Sequence, residues 1–267
     1  MLELASRVAT RAERVDKALS SMRARLVRLL PGGEVEEAGH AIWTMSATPL
    51  LFANGVIRYD ARAFHGPASE LELDNCLTVM STYNLPWRFS VWSHLGGDVL
   101  IPRLTARGMT EAGSERAMWL DLHGAVPEAP EQAGIEIRSA AEESGYRAWT
   151  SIFTKVQGIP NQYADLLEAL VATPQFLHLV ALANHHPVGC LSVGIEEDLA
   201  VVCNGGVLRS ARRLGVGRRL LQAAHATAAA RGARACVALA TPEGAGVCTR
   251  LGHRPVTRVT YLVPPAP

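Results

Sequence analysis

The stretch VLRSARRLGVGRRLLQAAHATAAARG, Val207 to Gly232, joins the end of an apolar run to an arginine- and glycine-rich turn and a long alanine-rich segment. Apolar residues at Val216, Leu220, Ala224 and Ala228 repeat every four positions, which predicts a helix over about 216–231, capped by Gly232. A strand that runs through a glycine turn into a helix leaves several backbone N–H groups unpaired and pointing one way, with the helix dipole behind them. Gly215 and Gly217 let that backbone approach an anion without a Cβ in the way. Arg212, Arg213, Arg218 and Arg219 supply forked hydrogen bonds to its oxygens. The turn is therefore read as a phosphate cradle.

The formal net charge of +1 over 267 residues argues against a general attraction to nucleic acid or an anionic membrane, so the ligand is expected to be a small phosphorylated molecule. With 48% hydrophobic and 19% charged residues the composition is globular, and the length suits two ordinary domains. No apolar run is long enough to span a bilayer, and the first residues alternate charge with leucine instead of building a signal-peptide core. A cytoplasmic protein, monomer or homodimer, is expected. Cys76, Cys190, Cys203, Cys236 and Cys248 form no C-x-x-C pair, which predicts free thiols and no metal site.

Residues 2 to about 30 show the three-to-four spacing of an amphipathic helix, with one face packed and the arginines in water. Strand-like runs follow at 41–47 and 55–59, then a helix near 69–81, a strand at 87–92, a helix over about 97–107 and a strand at 116–122. The segment HGAVPEAPEQAG, 123–134, concentrates proline, glycine and glutamate and reads as a linker between domains at 1–122 and 135–267. Beyond it come a strand at 135–138, helices over about 141–155 and 163–171, and strands at 177–183, 188–195 and 200–208, joined by short hairpin turns. After the opening stretch follow a strand at 235–240, a helix over about 242–251 and a last strand near 257–263. The fold class is α/β, with a mixed sheet.

Arg212-Arg213-Leu214-Gly215-Val216-Gly217 matches the R/Q-x-x-G-x-G/A signature of the GCN5-related N-acetyltransferases, the GNAT superfamily. About thirty residues later GVCTRLGHRPV, 246–256, resembles that family's closing helix and Leu-Gly-Phe turn. The resemblance covers about residues 135–263. It implies an N-acetyltransferase that uses acetyl-CoA or another acyl-CoA as cosubstrate and needs no metal. By the same resemblance Val207, Leu208, Arg212, Arg213, Leu214, Gly215, Val216, Gly217 and Arg218 hold the donor, and its pantetheine arm slots between the strands at 200–208 and 235–240, which splay apart. Gly205-Gly206 is the expected source of that distortion. LPWRFSVWSHLGGDVLIPRLTARGM, 85–109, resembles part of a second, smaller GNAT-like α/β domain. FHGPASELELDN, 64–75, offers one glycine and no arginine cluster where a pyrophosphate loop belongs, so this half is expected to be degenerate.

Amine acylation by a thioester needs a neutral amine, donors for the developing oxyanion and a proton for the departing thiolate. In many relatives a tyrosine four residues before the glycine of Leu-Gly-Phe gives that proton, and here the position holds Cys248. Cys248 is thus a candidate general acid and equally a small core residue. No carboxylate lies within AVVCNGGVL, 200–208, so water held near Asn204 is a candidate base. His178 and Glu196 to Asp198 read as strand-edge and surface residues, and His253 as a turn histidine. Tyr146, Trp149, Phe153 and Tyr163 fall where the family walls its acceptor site, at spacings that also suit a core. The expected acceptor is the primary amine of a small molecule or amino-acid-like compound, with a protein terminus or lysine left open. The alternatives are a non-catalytic acyl-CoA sensor and a relative that processes thioesters in a biosynthetic pathway.

Overall fold

Buried apolar residues at Ala12, Val15, Met22 and Val27 give helix α1 (Leu2–Arg28) its inward face. The computed structural model describes residues 2–122, 134–172 and 176–265, with the backbone alone over 2–10. Apart from Gly134, the expected linker lies outside the described residues. The chain separates into two units, one of residues 1–117 together with 256–267, the other of residues 118–255.

In the first unit, β1 (Glu34–Ala38) and β2 (Ala41–Met45) form an antiparallel hairpin beside β3 (Gly55–Tyr59). Helices α2 (Gly66–Thr82) and α3 (Gly97–Ala106) flank β4 (Arg88–Trp92) in the chain, and β5 (Thr110–Asp121) follows. Leu73 and Met80 of α2 and Leu100 and Leu104 of α3 pack with Val56, Phe89, Val91 and Leu262 into one core. Leu262 belongs to the strand Arg254–Val263, which pairs antiparallel with β4, setting Val259 opposite Trp92 and Leu262 opposite Phe89. Alternating apolar residues announce a strand there without saying which sheet it joins.

The second unit orders its strands β6 (Ile135–Ser139), β7 (Phe176–Ala183), β8 (His186–Glu196), β9 (Leu199–Val207) and β10 (Ala235–Ala240), antiparallel except for the parallel pair β9–β10. Asn184 and His185 both take positive φ in the β7–β8 turn, as a two-residue hairpin requires. Helices α4 (Glu143–Gln157) and α5 (Ala164–Val171) follow β6 in the chain, and α6 (Val216–Ala230) joins β9 to β10. Val216, Leu220, Ala224 and Ala228 of α6 are buried with Leu179, Leu191, Val193, Ala200 and Val202. Residues next to these along β7 and β8 point to the opposite face, where His178 meets Trp149 of α4 with ring centroids 5.2 Å apart. Helix α7 (Pro242–Arg250) then leads into the strand Arg254–Val263, here β11, which completes the first unit. Among the described residues no helix is long and apolar enough to cross a membrane.

Candidate functional site

Strand β9 loses one of its two partners halfway along its length. Its ladder to β10 runs from Leu199 opposite Ala235 to Val202 opposite Ala238, while its ladder to β8 continues to Val207 opposite Gly189. From Cys203 onward the β10 side of β9 therefore carries N–H and C=O groups outside that ladder, the usual template for an extended ligand. A bulge marks the parting: Cys190 faces Gly206 and Ser192 faces Cys203, so Asn204 and Gly205 together oppose Leu191. Asn204 takes φ 53°, a left-handed conformation asparagine tolerates better than most residues. The distortion is thus centred on Asn204-Gly205.

Gly206 has a different role from the one expected of it. A Cβ there would lie 2.8 Å from Cγ1 of Val156 on α4, so glycine is what allows the helix to approach the strand. The indole N–H of Trp149 donates to the carbonyl of Leu191, at 3.2 Å, and ties the same helix to the residue facing the bulge. Neither contact was read from the sequence. The signal present was a helical tryptophan whose N–H, once buried, needs an acceptor.

Past Val207 the backbone tightens. Leu208 N–H donates to Val188 O at 2.9 Å, a short 3-10 turn spans Arg209–Ala211, and Arg213 and Gly215 take φ values of 64° and 81°. Gly215 caps α6 without any side-chain acceptor, and the bond from Arg219 N–H to Gly215 O, at 3.0 Å, closes the first helical turn. The N–H groups of Val216, Gly217 and Arg218 precede it and so have no carbonyl four residues back in the helix. Val216 is buried against the core and anchors the turn, while Arg212, Arg213, Leu214 and Arg218 are exposed around it. A Cβ on Gly217 would meet only Val207 Cγ2, at 3.8 Å. The backbone here has the geometry of a nest at a helix N-terminus with arginines at its rim, an arrangement suited to an anion.

The candidate acid Cys248 is 2% exposed, within the apolar core of the second unit, and burial pushes its thiol up to about 11. His253 is buried too. Its Nδ1 lies 3.2 Å from the carbonyl of Met118, which can only accept, so Nδ1 carries the proton and Nε2 accepts from His225 Nε2 at 2.9 Å. With Cys236 these histidines place three potential metal-ligand atoms within 4.8 Å of one another. The hydrogen-bonded chain of two neutral imidazoles accounts for their arrangement. His178 is buried and not at a strand edge, its Nδ1 sharing a 2.8 Å hydrogen bond with Ser192 Oγ. Trp149 and Phe153 stack in the core, whereas Tyr146 and Tyr163 stay partly exposed.

Burial pushes His178 down to about 4, and burial and then the neighbouring His253 push His225 down to about 4. In an unfolded chain both titrate near 6.5. The stability they contribute is therefore complete above about pH 6.5 and is lost as pH falls toward about 4. Between pH 7 and 5 each is expected to remove about 2 kcal/mol. Denaturant midpoints of the wild type and of His178→Gln and His225→Gln check this: a flat wild-type profile, or an equal slope in the variants, contradicts it.

Residues 143–247 match the acetyltransferase (GNAT) family. No curated protein sequence matches the chain. Among solved structures, a GCN5-related N-acetyltransferase from Kribbella flavida is similar with a TM-score of 0.70, at 18% identity, over 96% of each chain. Another from Sphaerobacter thermophilus gives a TM-score of 0.63 at 14% identity, covering 85% of this chain and 81% of that one. A tandem GNAT protein from the clavulanic acid biosynthesis pathway gives 0.61 at 14% identity, covering 89% and 86%. At these identities the likeness is one of fold, and it extends over both units.

Proposed function

We propose that the GNAT domain at residues 143–247 transfers an acyl group, most simply acetyl, from acyl-CoA to the primary amine of a small-molecule or amino-acid-like acceptor. The observation that carries this reading is the coincidence of two features: the ladder of β9 to β10 stops at Val202, midway along the strand, and the nest of Arg212 to Arg218 follows soon after the strand ends at Val207. On this reading the N–H groups at Gly215, Val216, Gly217 and Arg218, with Arg212 and Arg213, hold the pyrophosphate. Leu214 flanks the nest on its exposed side, and Val207 and Leu208 border the path of the pantetheine arm. The amine nitrogen attacks the thioester carbonyl, an N–H of the bulged segment stabilises the oxyanion, and the carbon–sulfur bond breaks to release the CoA thiolate. Water held beside Asn204 takes the amine proton. The first unit is a degenerate GNAT-like domain that shapes or stabilises the fold.

A non-catalytic acyl-CoA sensor is the second reading, favoured by the burial of Cys248 where a tyrosine acid is expected. A thioester-processing role in a biosynthetic pathway is the third. Release of free thiol from acetyl-CoA across a panel of amines tests the proposal: turnover on at least one amine is expected, and saturable binding without turnover on any would favour the sensor.

Cys248 acts in this scheme as packing, and solvent protonates the thiolate. Cys248→Ala is expected to lower stability by about 1–2 kcal/mol through the small cavity it leaves, with the alkaline limb of the kcat/KM profile unchanged. Loss of that limb in the alanine variant would assign the proton to the thiol.

A further inference from the structure

Helix α1 carries an inward polar stripe, Asp16, Ser20 and Arg23, at the spacing that sets residues on one helix face. Its arginines do not all point to water. Asp16 is fully buried, and its Oδ2 accepts from Arg58 Nε at 2.9 Å and lies 3.5 Å from His94 Nε2. Arg23 has no such partner. Its Nε and Nη2 are shut off from water without a hydrogen bond, as are Nε of Arg88 and the hydroxyls of Ser20 and Ser90.

These groups belong together. Arg88 and Ser90 are two apart on β4 and so share a face of the sheet, and Ser90 stands opposite Tyr261 on β11. The Arg88 guanidinium lies 3.9 Å from the centre of the Tyr261 ring, and the Tyr261 hydroxyl is hydrogen-bonded to Glu115. Burial and then the charge of Arg88 lower Arg23 to about 9, which puts the two guanidiniums within electrostatic reach of each other. The neighbouring carboxylate, Glu115, is hydrogen-bonded to the tyrosine, and neither arginine forms an ion pair among the described residues. Both arginines are half-buried, but the Nε–Nη2 edge of Arg23 and Nε of Arg88 are shut away from water with no acceptor, and such unmet donors on two like charges are unfavourable unless an anion joins them.

We propose that the first unit binds a tetrahedral oxyanion, such as a phosphate group, between Arg23 of α1 and Arg88 and Ser90 of β4. The adjacent Nε and Nη2 of Arg23 form the guanidinium edge that grips two oxygens at once. Nε of Arg88 and the two serine hydroxyls bring the donor set to five, more than a carboxylate's two oxygens use well and well suited to a phosphate. The site lies wholly in the first unit and is independent of the nest before α6.

The test uses the full chain carrying Gly217→Asp, which disables the nest, titrated with inorganic phosphate at constant ionic strength while thermal unfolding is followed. A saturable rise of roughly 5 °C is expected at about one hundred times Kd, with little rise from chloride or acetate. Adding Arg23→Met should abolish the response. Adding Ser90→Ala, the milder change should the first variant fold poorly, should raise Kd several-fold. No saturable rise, or a rise that survives both changes, overturns the proposal. An equal response to acetate overturns the tetrahedral assignment.

Discussion

Gly217→Asp is expected to weaken acyl-CoA binding by at least about a hundredfold, equivalent to about 2.7 kcal/mol, while leaving the fold intact. A side chain at this position has room, because a Cβ meets only Val207 Cγ2 at 3.8 Å, and the residue lies in the first turn of α6. What changes is charge. A carboxylate placed among the N–H groups of Val216, Gly217 and Arg218 accepts their hydrogen bonds and repels the pyrophosphate they would bind. Gly217→Ala separates the two effects. It adds the same Cβ without charge and should cost less than about tenfold in affinity. Calorimetric titration of both folded variants decides: an aspartate variant that binds as tightly as the alanine variant removes the nest from the site.

Gly189→Val attacks the same loop from beneath. A Cβ at 189 would stand 2.8 Å from Val216 Cγ1, 3.0 Å from Leu220 Cδ1 and 3.3 Å from the carbonyl oxygen of Gly206. Leu220 can swing away, but a valine in a helix has essentially one side-chain rotamer, so the first turn of α6 has to lift. Overpacking of this kind costs about 3 kcal/mol, and Tm should fall by roughly 6–12 °C. Acyl-CoA affinity should fall with it, because the lifted turn is the one that holds the nest. Leu220→Ala in the same chain is expected to recover part of the stability. A Gly189→Val chain within about 0.5 kcal/mol of wild type would show that α6 is not held at this distance.

The nest was legible because everything that makes it is local. Arg212 to Gly217 lie in six consecutive residues, and the helix behind them announces itself by the burial period of Val216, Leu220, Ala224 and Ala228, all of which the structure buries. Features that depend on what lies across the sheet were not legible. Gly205 and Gly206 look alike in the chain, yet one sits in the bulge and the other makes room for Val156. His178 alternates with apolar neighbours as an edge residue would, and only its pairing with Ser192 and the cover of Trp149 bury it. Strand β1, with the charged sequence EVEEA, has no apolar alternation to betray it, being an exposed strand at the end of its sheet. Arg23 is one arginine among several on α1, and nothing local distinguishes the one turned inward.

The route of β11 has a consequence for the order in which the protein takes shape during synthesis. Residues 118–255 are complete in the chain before Val256 is made, but the first unit needs 256–263 to fill the place between β4 and β5. In a growing chain the half translated first is therefore the half that closes last. Until then Phe89 to Trp92 offer an open, apolar strand edge, the kind of surface on which nascent chains mispair and on which chaperones act.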